Sequence, residues 1–178
     1  MRLYVYITAF LFVVGAILTG SHARSQSTTA AGDASLRAHA DSLVQEYIIV
    51  DGHIDAPHRV HTSSGQIDLS TASPGGEFDY VRGTAGGLNA PFMSIYVPVE
   101  LQQEDGAAAA RADSLIDRVE GWVENAPGKF AIATSPADVR QQFDEGLMSL
   151  PMGLENGAPI RDMDDLKHFY DRGIRYIT

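Results

Sequence analysis

An α/β fold with parallel strands is what this 178-residue sequence predicts. Short runs of β-branched and aromatic residues alternate with longer segments whose apolar residues recur at helical spacing. Cap residues and glycine stops fall between the runs, where such a chain has to turn. A hydrophobic content of 44% supplies a core and is too high for disorder.

Met1-Arg2 leads into an apolar stretch from Leu3 to Leu18, interrupted by Thr8 and Gly15, and Ser21-His22-Ala23 offers a small-x-small cleavage pattern. Residues 1–23 are therefore expected to be a signal peptide, directing the protein to a secreted or periplasmic location. The stretch is shorter than the roughly 20 residues of a spanning helix; left uncleaved, it would act as a membrane anchor. Residues 24–32 read as a Ser/Thr/Ala-rich linker, and residues 33–178 as one folded part.

A helix is expected from Asp33, with Leu36, Ala40, Leu43 and Val44 on one face and His39 facing solvent. Tyr47 to Asp51 then reads as a buried strand ending in a loop. Residues 58–89 are rich in Gly, Ser and Thr, with Ser73-Pro74-Gly75-Gly76 as a turn. So long an irregular stretch points to a pocket wall, with His58 and His61 as exposed loop residues. The second strand is Phe92 to Val97. Asp105-Gly106 opens a helix with Leu115, Val119, Trp122 and Val123 on a core-facing stripe, ended by Asn125-Ala126-Pro127-Gly128. Ser135, Pro136 and Asp138 form a capping-box-like start to the next helix, closed by Gly146. The third strand spans Leu147 to Leu154 and should be bulged or shortened at Pro151, which cannot donate to a ladder. A last helix begins near Asp162, packs Leu166, Phe169 and Tyr170, and stops at Gly173 before a strand from Ile174 to Thr178.

The segment Asp51-Gly52-His53-Ile54-Asp55 carries the chemistry. In a strand, residues two apart share a side, so His53 and Asp55 can converge on one cation, imidazole giving nitrogen and carboxylate giving charge. The simpler alternative is a histidine hydrogen-bonded to a nearby carboxylate. Glu155, at the carboxyl end of the third strand, is either a third ligand or a carboxylate accepting backbone amides of the Asn156-Gly157 turn. A net charge of −10 and a pI near 4.8 disfavour nucleic acid and anionic membrane surfaces as partners. The sequence has no cysteine, which excludes disulfides, thiolate ligands and a cysteine nucleophile.

Taken with Gly86-Gly87 through Val97-Pro98, Met152-Gly153-Leu154-Glu155-Asn156-Gly157 and Arg172-Gly173-Ile174-Arg175-Tyr176-Ile177-Thr178, the chain from Tyr47 onward resembles the membrane dipeptidase (renal dipeptidase) family of zinc peptidases. The resemblance implies a parallel (β/α)8 TIM-type barrel with two zinc ions at the carboxyl ends of its strands. A hydroxide bridging the ions would attack a dipeptide. It assigns His53 and Asp55 to the metals and Glu155 to the bridge between them. The further ligands, two histidines and an aspartate active in proton transfer, would come from later strands, so no catalytic base is assigned within this chain. Where many members carry Gly-Gly-His after the glutamate, this chain has Asn156-Gly157-Ala158, which changes the substrate pocket.

Such a barrel takes about 250 residues. With four expected strands, the chain reads as the amino-terminal part of a larger protein, truncated to about the first four βα units and inactive or nearly so by itself. An unpaired edge after the fourth strand would invite pairing between copies, a route to a homo-oligomer. Two other functions fit the residues: a related metal-dependent amidohydrolase acting on a lactam, ester or cyclic amide, and a non-catalytic secreted fragment or degenerate paralogue.

Overall fold

The computed structural model of the protein describes residues 32–63 and 67–178. The expected signal peptide, and the linker apart from Gly32, lie outside the described residues. The chain divides into two units, Met1–Leu43 and Val44–Thr178. Residues 32–46 form helix α1, on which Leu36 and His39 are exposed.

In the second unit the chain order is β1 (Ile49–Ile54), α2 (Ala56–Thr62), α3 (Tyr80–Ala85), β2 (Leu88–Tyr96), a 3-10 turn (Val99–Gln103), α4 (Ala107–Asn125), β3 (Phe130–Ile132), α5 (Pro136–Asp144), β4 (Met148–Leu150), β5 (Met152–Glu155), α6 (Met163–Asp171) and β6 (Ile174–Ile177). Four strands form one sheet in the order β1-β2-β5-β6, every pair parallel, and β3 and β4 form a second parallel pair. Parallel neighbours need crossover connections, and the helices between strands supply them. The expected α/β class and parallel sheet are therefore observed.

Alternation along β2 and β5 sorts side chains onto two faces. Met93 and Ile95 of β2, Val97 just after it, and Met152 and Leu154 of β5 enter the core, where they meet Ala112, Leu115, Ile116 and Val119 of α4, Phe130 of β3 and Phe169 of α6. The alternate residues Phe92, Ser94, Gly153 and Glu155 occupy the opposite face. Pro151 divides the third expected strand into β4 and β5; its carbonyl accepts from Met93 N at 2.7 Å, and the missing N–H marks the break.

The helix ends follow their sequence signals. Ser135 Oγ accepts from Asp138 N at 3.2 Å, and Asp138 Oδ2 in turn accepts from Thr134 N at 2.8 Å, so the reciprocal bond reaches one residue further back than in a standard capping box. Asp162 accepts from the amides of Asp164 and Asp165. Arg172, just past α6, donates to Asp113, Asp117 and Glu120 of α4 and joins the two helices.

Several expectations are corrected. β1 is exposed along most of its length: among the described residues it lies at the edge of the sheet and pairs with β2 alone. The stretch after it is not wholly irregular: Pro57 sits in the first turn of α2, where its fixed φ suits a helix, and Asp79 caps α3. Phe130–Ile132 forms a strand too short to stand out in the sequence. On α6, Phe169 alone is buried; Leu166 is 36% and Tyr170 58% exposed, the Tyr170 ring lying under the Arg175 guanidinium at 4.3 Å.

Leu154 has no exposed surface, so Leu154→Ala is expected to cost about 2–5 kcal/mol through lost burial and a residual cavity. Ser135→Ala, which removes only a cap, should cost about 1 kcal/mol. Urea unfolding of the two variants measures both losses, and the first should exceed the second.

Candidate metal centre

Between the pairs Asp51–Pro91 and Ile54–Met93, β1 uses one residue more than β2. The extra residue makes a bulge at Gly52-His53, a device that re-aims side chains at strand ends. Asp55 follows the strand and precedes α2 with φ −80° and ψ 27°; its carboxylate makes no cap bond and is free to turn toward His53. The two residues thus meet through a bulge and a strand-to-helix turn, where strict strand alternation was expected.

Glu155 arrives from the end of β5, opposite Tyr96 in the parallel ladder. His53 Nε2 lies 3.1 Å from Glu155 Oε2 and 3.5 Å from Asp55 Oδ1. One ligand atom from each of the three residues falls within 4.8 Å of the others. The 3.1 Å contact is a hydrogen bond between His53 and Glu155, as the simpler alternative expects; donors held tetrahedrally at ~2.0–2.1 Å from a zinc ion would sit about 3.3 Å apart, a spacing that the two short separations also admit. One nitrogen and two carboxylates also form a donor set that suits zinc and similar divalent ions.

The surroundings fix Glu155 in place. Ser94, fully buried on β2, donates from Oγ to Glu155 Oε2 at 2.6 Å. The turn that follows does not use the glutamate: Asn156, at φ 59°, accepts from Ala158 N at 2.7 Å and donates from Nδ2 to the Val97 carbonyl. Asn tolerates this left-handed conformation better than most residues. Asn156 therefore satisfies the turn, and the alternative role of Glu155 as the turn's amide acceptor is not seen.

Tyr176 enters from β6. Its register with β5 shifts so that Tyr176 stands opposite Gly153. A Cβ on Gly153 would lie 2.1 Å from the tyrosine Cζ, so only glycine admits the ring. The hydroxyl donates to the Gly52 carbonyl at 2.9 Å and stands 3.4 Å from His53 Nδ1. Burial first, then the carboxylates of Glu155, Asp55 and Asp51, hold the phenol above its ordinary value and keep it protonated at neutral pH.

A cleft of about 620 Å³ opens beside His53 and Asp55, walled by Arg59, Phe78 and Arg82. Gly76, Glu77 and Phe78, with Arg82, Gly83 and Gly86, line one wall, within the stretch 58–89 whose composition suggested it. Arg59 donates to the carbonyls of Gly75 and Phe78, both at 2.9 Å, and Arg82 binds the Gly76 carbonyl and Asp79 at 2.8 Å. His58 and His61 correct another expectation. They lie on α2 and are half-buried, each with a buried Nδ1 that has no hydrogen-bond partner among the described residues. His58 meets the Tyr96 ring edge-on at 4.9 Å. Burial first, then Arg111, Arg118 and His58, lowers the His61 pKa and favours the neutral ring. Neither histidine joins the cluster of His53, Asp55 and Glu155. Sequence reading missed Ser94 and Tyr176, whose partners are visible only once the strands are paired.

The sequence model of the membrane dipeptidase family (peptidase family M19) matches residues 37–178. A dipeptidase of Aspergillus terreus, ataJ, is 29% identical over 150 residues, which are 78% of this chain and 36% of that protein. Among solved structures, the probable dipeptidase PvdM of Pseudomonas aeruginosa superposes with a TM-score of 0.67 at 25% identity, covering 78% of this chain and 36% of its own. A metallopeptidase of Rhodobacter sphaeroides, liganded with a phosphinate mimic of the dipeptide L-Ala-D-Ala, shares the fold with a TM-score of 0.63 at 22% identity, covering 73% of this chain and 44% of its own. The chain thus spans well under two thirds of the length of these relatives.

The cleft wall carries its own pH signature. Asp79 is buried and accepts from the amides of Arg82 and Ser73 and from the Arg82 guanidinium. The Arg82 amide, opposed by burial and aided by the Ser73 amide and the Arg82 side chain, holds the carboxyl down from 3.8 to about 2. A depressed carboxyl contributes stability that is complete above its unfolded pKa and lost as pH falls through the folded value. Stability measured by urea unfolding should therefore drop between pH 4 and pH 2 more steeply in the wild type than in Asp79→Asn.

Proposed function

The chain belongs to the membrane dipeptidase family, peptidase family M19, and we propose that it forms the amino-terminal part of the catalytic barrel of a zinc-dependent dipeptidase. Family membership supports a hydrolase of dipeptidase type. The observation that carries the finer reading is the convergence of His53, Asp55 and Glu155 at the carboxyl ends of parallel strands, where barrel enzymes carry their sites.

Bound divalent ions would polarise the peptide carbonyl and lower the pKa of water toward 7. The residues of this chain hold and orient. His53 would give a nitrogen donor, and Asp55, at the cleft's edge, a carboxylate oxygen. Glu155 offers two oxygens with about four lone-pair sites between them, so the bond from Ser94 to Oε2 leaves capacity for two cations. In this reading Glu155 would be one of the residues that hold the metal ions, able to serve both. The remaining ligands and the proton-transferring group are supplied by the rest of the barrel, and the 178-residue chain alone has little activity. The dipeptide class is supported by the names of the relatives. A secreted or periplasmic location is supported by the sequence of residues 1–23; among the described residues, no helix is long and apolar enough to cross a membrane.

Elemental analysis after dialysis tests the metal reading. The chain is expected to retain zinc, and a variant with His53→Ala and Glu155→Ala to lose it; equal zinc in the two would overturn the ligand assignment. In the full-length enzyme, dipeptide hydrolysis should disappear on chelation and return with zinc.

A further inference from the structure

We propose that Tyr176 is a positioning residue for His53, accepting the hydrogen on Nδ1 so that Nε2 presents its lone pair to the cation. The proposal rests on the reading of His53 as a metal ligand. A phenol hydroxyl has one hydrogen, and the Gly52 carbonyl at 2.9 Å is a pure acceptor, so that hydrogen is committed to Gly52. What Tyr176 turns toward His53 Nδ1, 3.4 Å away, is an oxygen lone pair. Nδ1 can meet it only as N–H. Metal-bound histidines commonly donate their second ring nitrogen in this way, to a carboxylate, a carbonyl or water; here the acceptor is a phenol.

Two features show that this placement is built in. Gly153 leaves the space the ring needs, since a Cβ there would lie 2.1–2.5 Å from ring carbons. The register shift between β5 and β6 brings the ring to that position, and Phe92 flanks it with ring centroids 5.3 Å apart. Nε2 faces Glu155 Oε2 at 3.1 Å and Asp55 Oδ1 at 3.5 Å; with a cation held there, Nδ1 is the nitrogen left to carry the hydrogen of the ring. The hydroxyl thus favours the metal-bound tautomer.

Tyr176→Phe keeps the ring and its packing and removes only the hydroxyl. Zinc affinity, measured by competition with a chromophoric chelator, should fall about 10–100-fold, with the thermal melt of the metal-free chain reporting on folding. In histidine-15N-labelled, zinc-loaded wild type, His53 should show a proton on Nδ1 that exchanges slowly with water, and in Tyr176→Phe that protection should disappear. Unchanged affinity, or a weakened affinity with the Nδ1 proton equally protected, would overturn the proposal. So would a wild-type His53 protonated on Nε2 with zinc bound, a result independent of any variant. If the wild type takes up no more zinc than His53→Ala, the metal reading itself fails and the proposal with it.

Discussion

Parallel pairing of β1, β2 and β5 is the constraint on which the site depends. It points every strand the same way, so residues that leave the carboxyl ends arrive at one edge of the sheet. His53 and Glu155 are 102 residues apart in sequence and 3.1 Å apart in space. Neither loop chemistry nor local propensity could achieve that. The pairing is held by the other face, where β2 and β5 bury Met93, Ile95, Met152 and Leu154 against α4 and α6. A core of this kind tolerates no slip, because shifting a strand by one residue would carry Glu155 into the helices and Leu154 into the cleft.

The opposite face spends that stability on a charged cluster. Asp55 and Glu155 bring two carboxylates to one imidazole, His53, an arrangement that a divalent cation would suit. Around them, neutral groups set direction: Ser94 fixes one oxygen of Glu155, Asn156 takes over the turn, and Tyr176 spans from β6 to β1 through the gap left by Gly153. Position and charge are thus assigned to different residues. The cleft wall follows the same division, with Arg59 and Arg82 bound to backbone carbonyls and Asp79 buried beneath them.

Much of the fold was legible because its signals are local. Ser135, Asp138 and Asp162 cap helices by bonds that span a few residues, and Pro151 breaks a ladder through its own missing N–H. The pairing of His53 with Asp55 was legible from spacing, although the actual geometry uses a bulge and the start of α2. What stayed hidden depends on partners far along the chain. Ser94 is an ordinary strand serine until β5 lies beside it, and Tyr176 an ordinary aromatic until Gly153 opens its path. The exposure of β1 follows from its place at the sheet edge, which its apolar composition does not encode. His58 and His61 were misjudged for a related reason: α2 is short, and its burial is set by the packing around it.

His53, Asp55 and Glu155, brought together from two strand ends, are proposed to share one cation. Crystals of the chain grown with zinc, measured on both sides of the zinc absorption edge, test that sharing. An anomalous peak is expected about 2.0–2.2 Å from His53 Nε2 and from carboxylate oxygens of Asp55 and Glu155. A zinc-saturated crystal with no peak among these residues, or with its peaks only elsewhere, would rule the shared cation out.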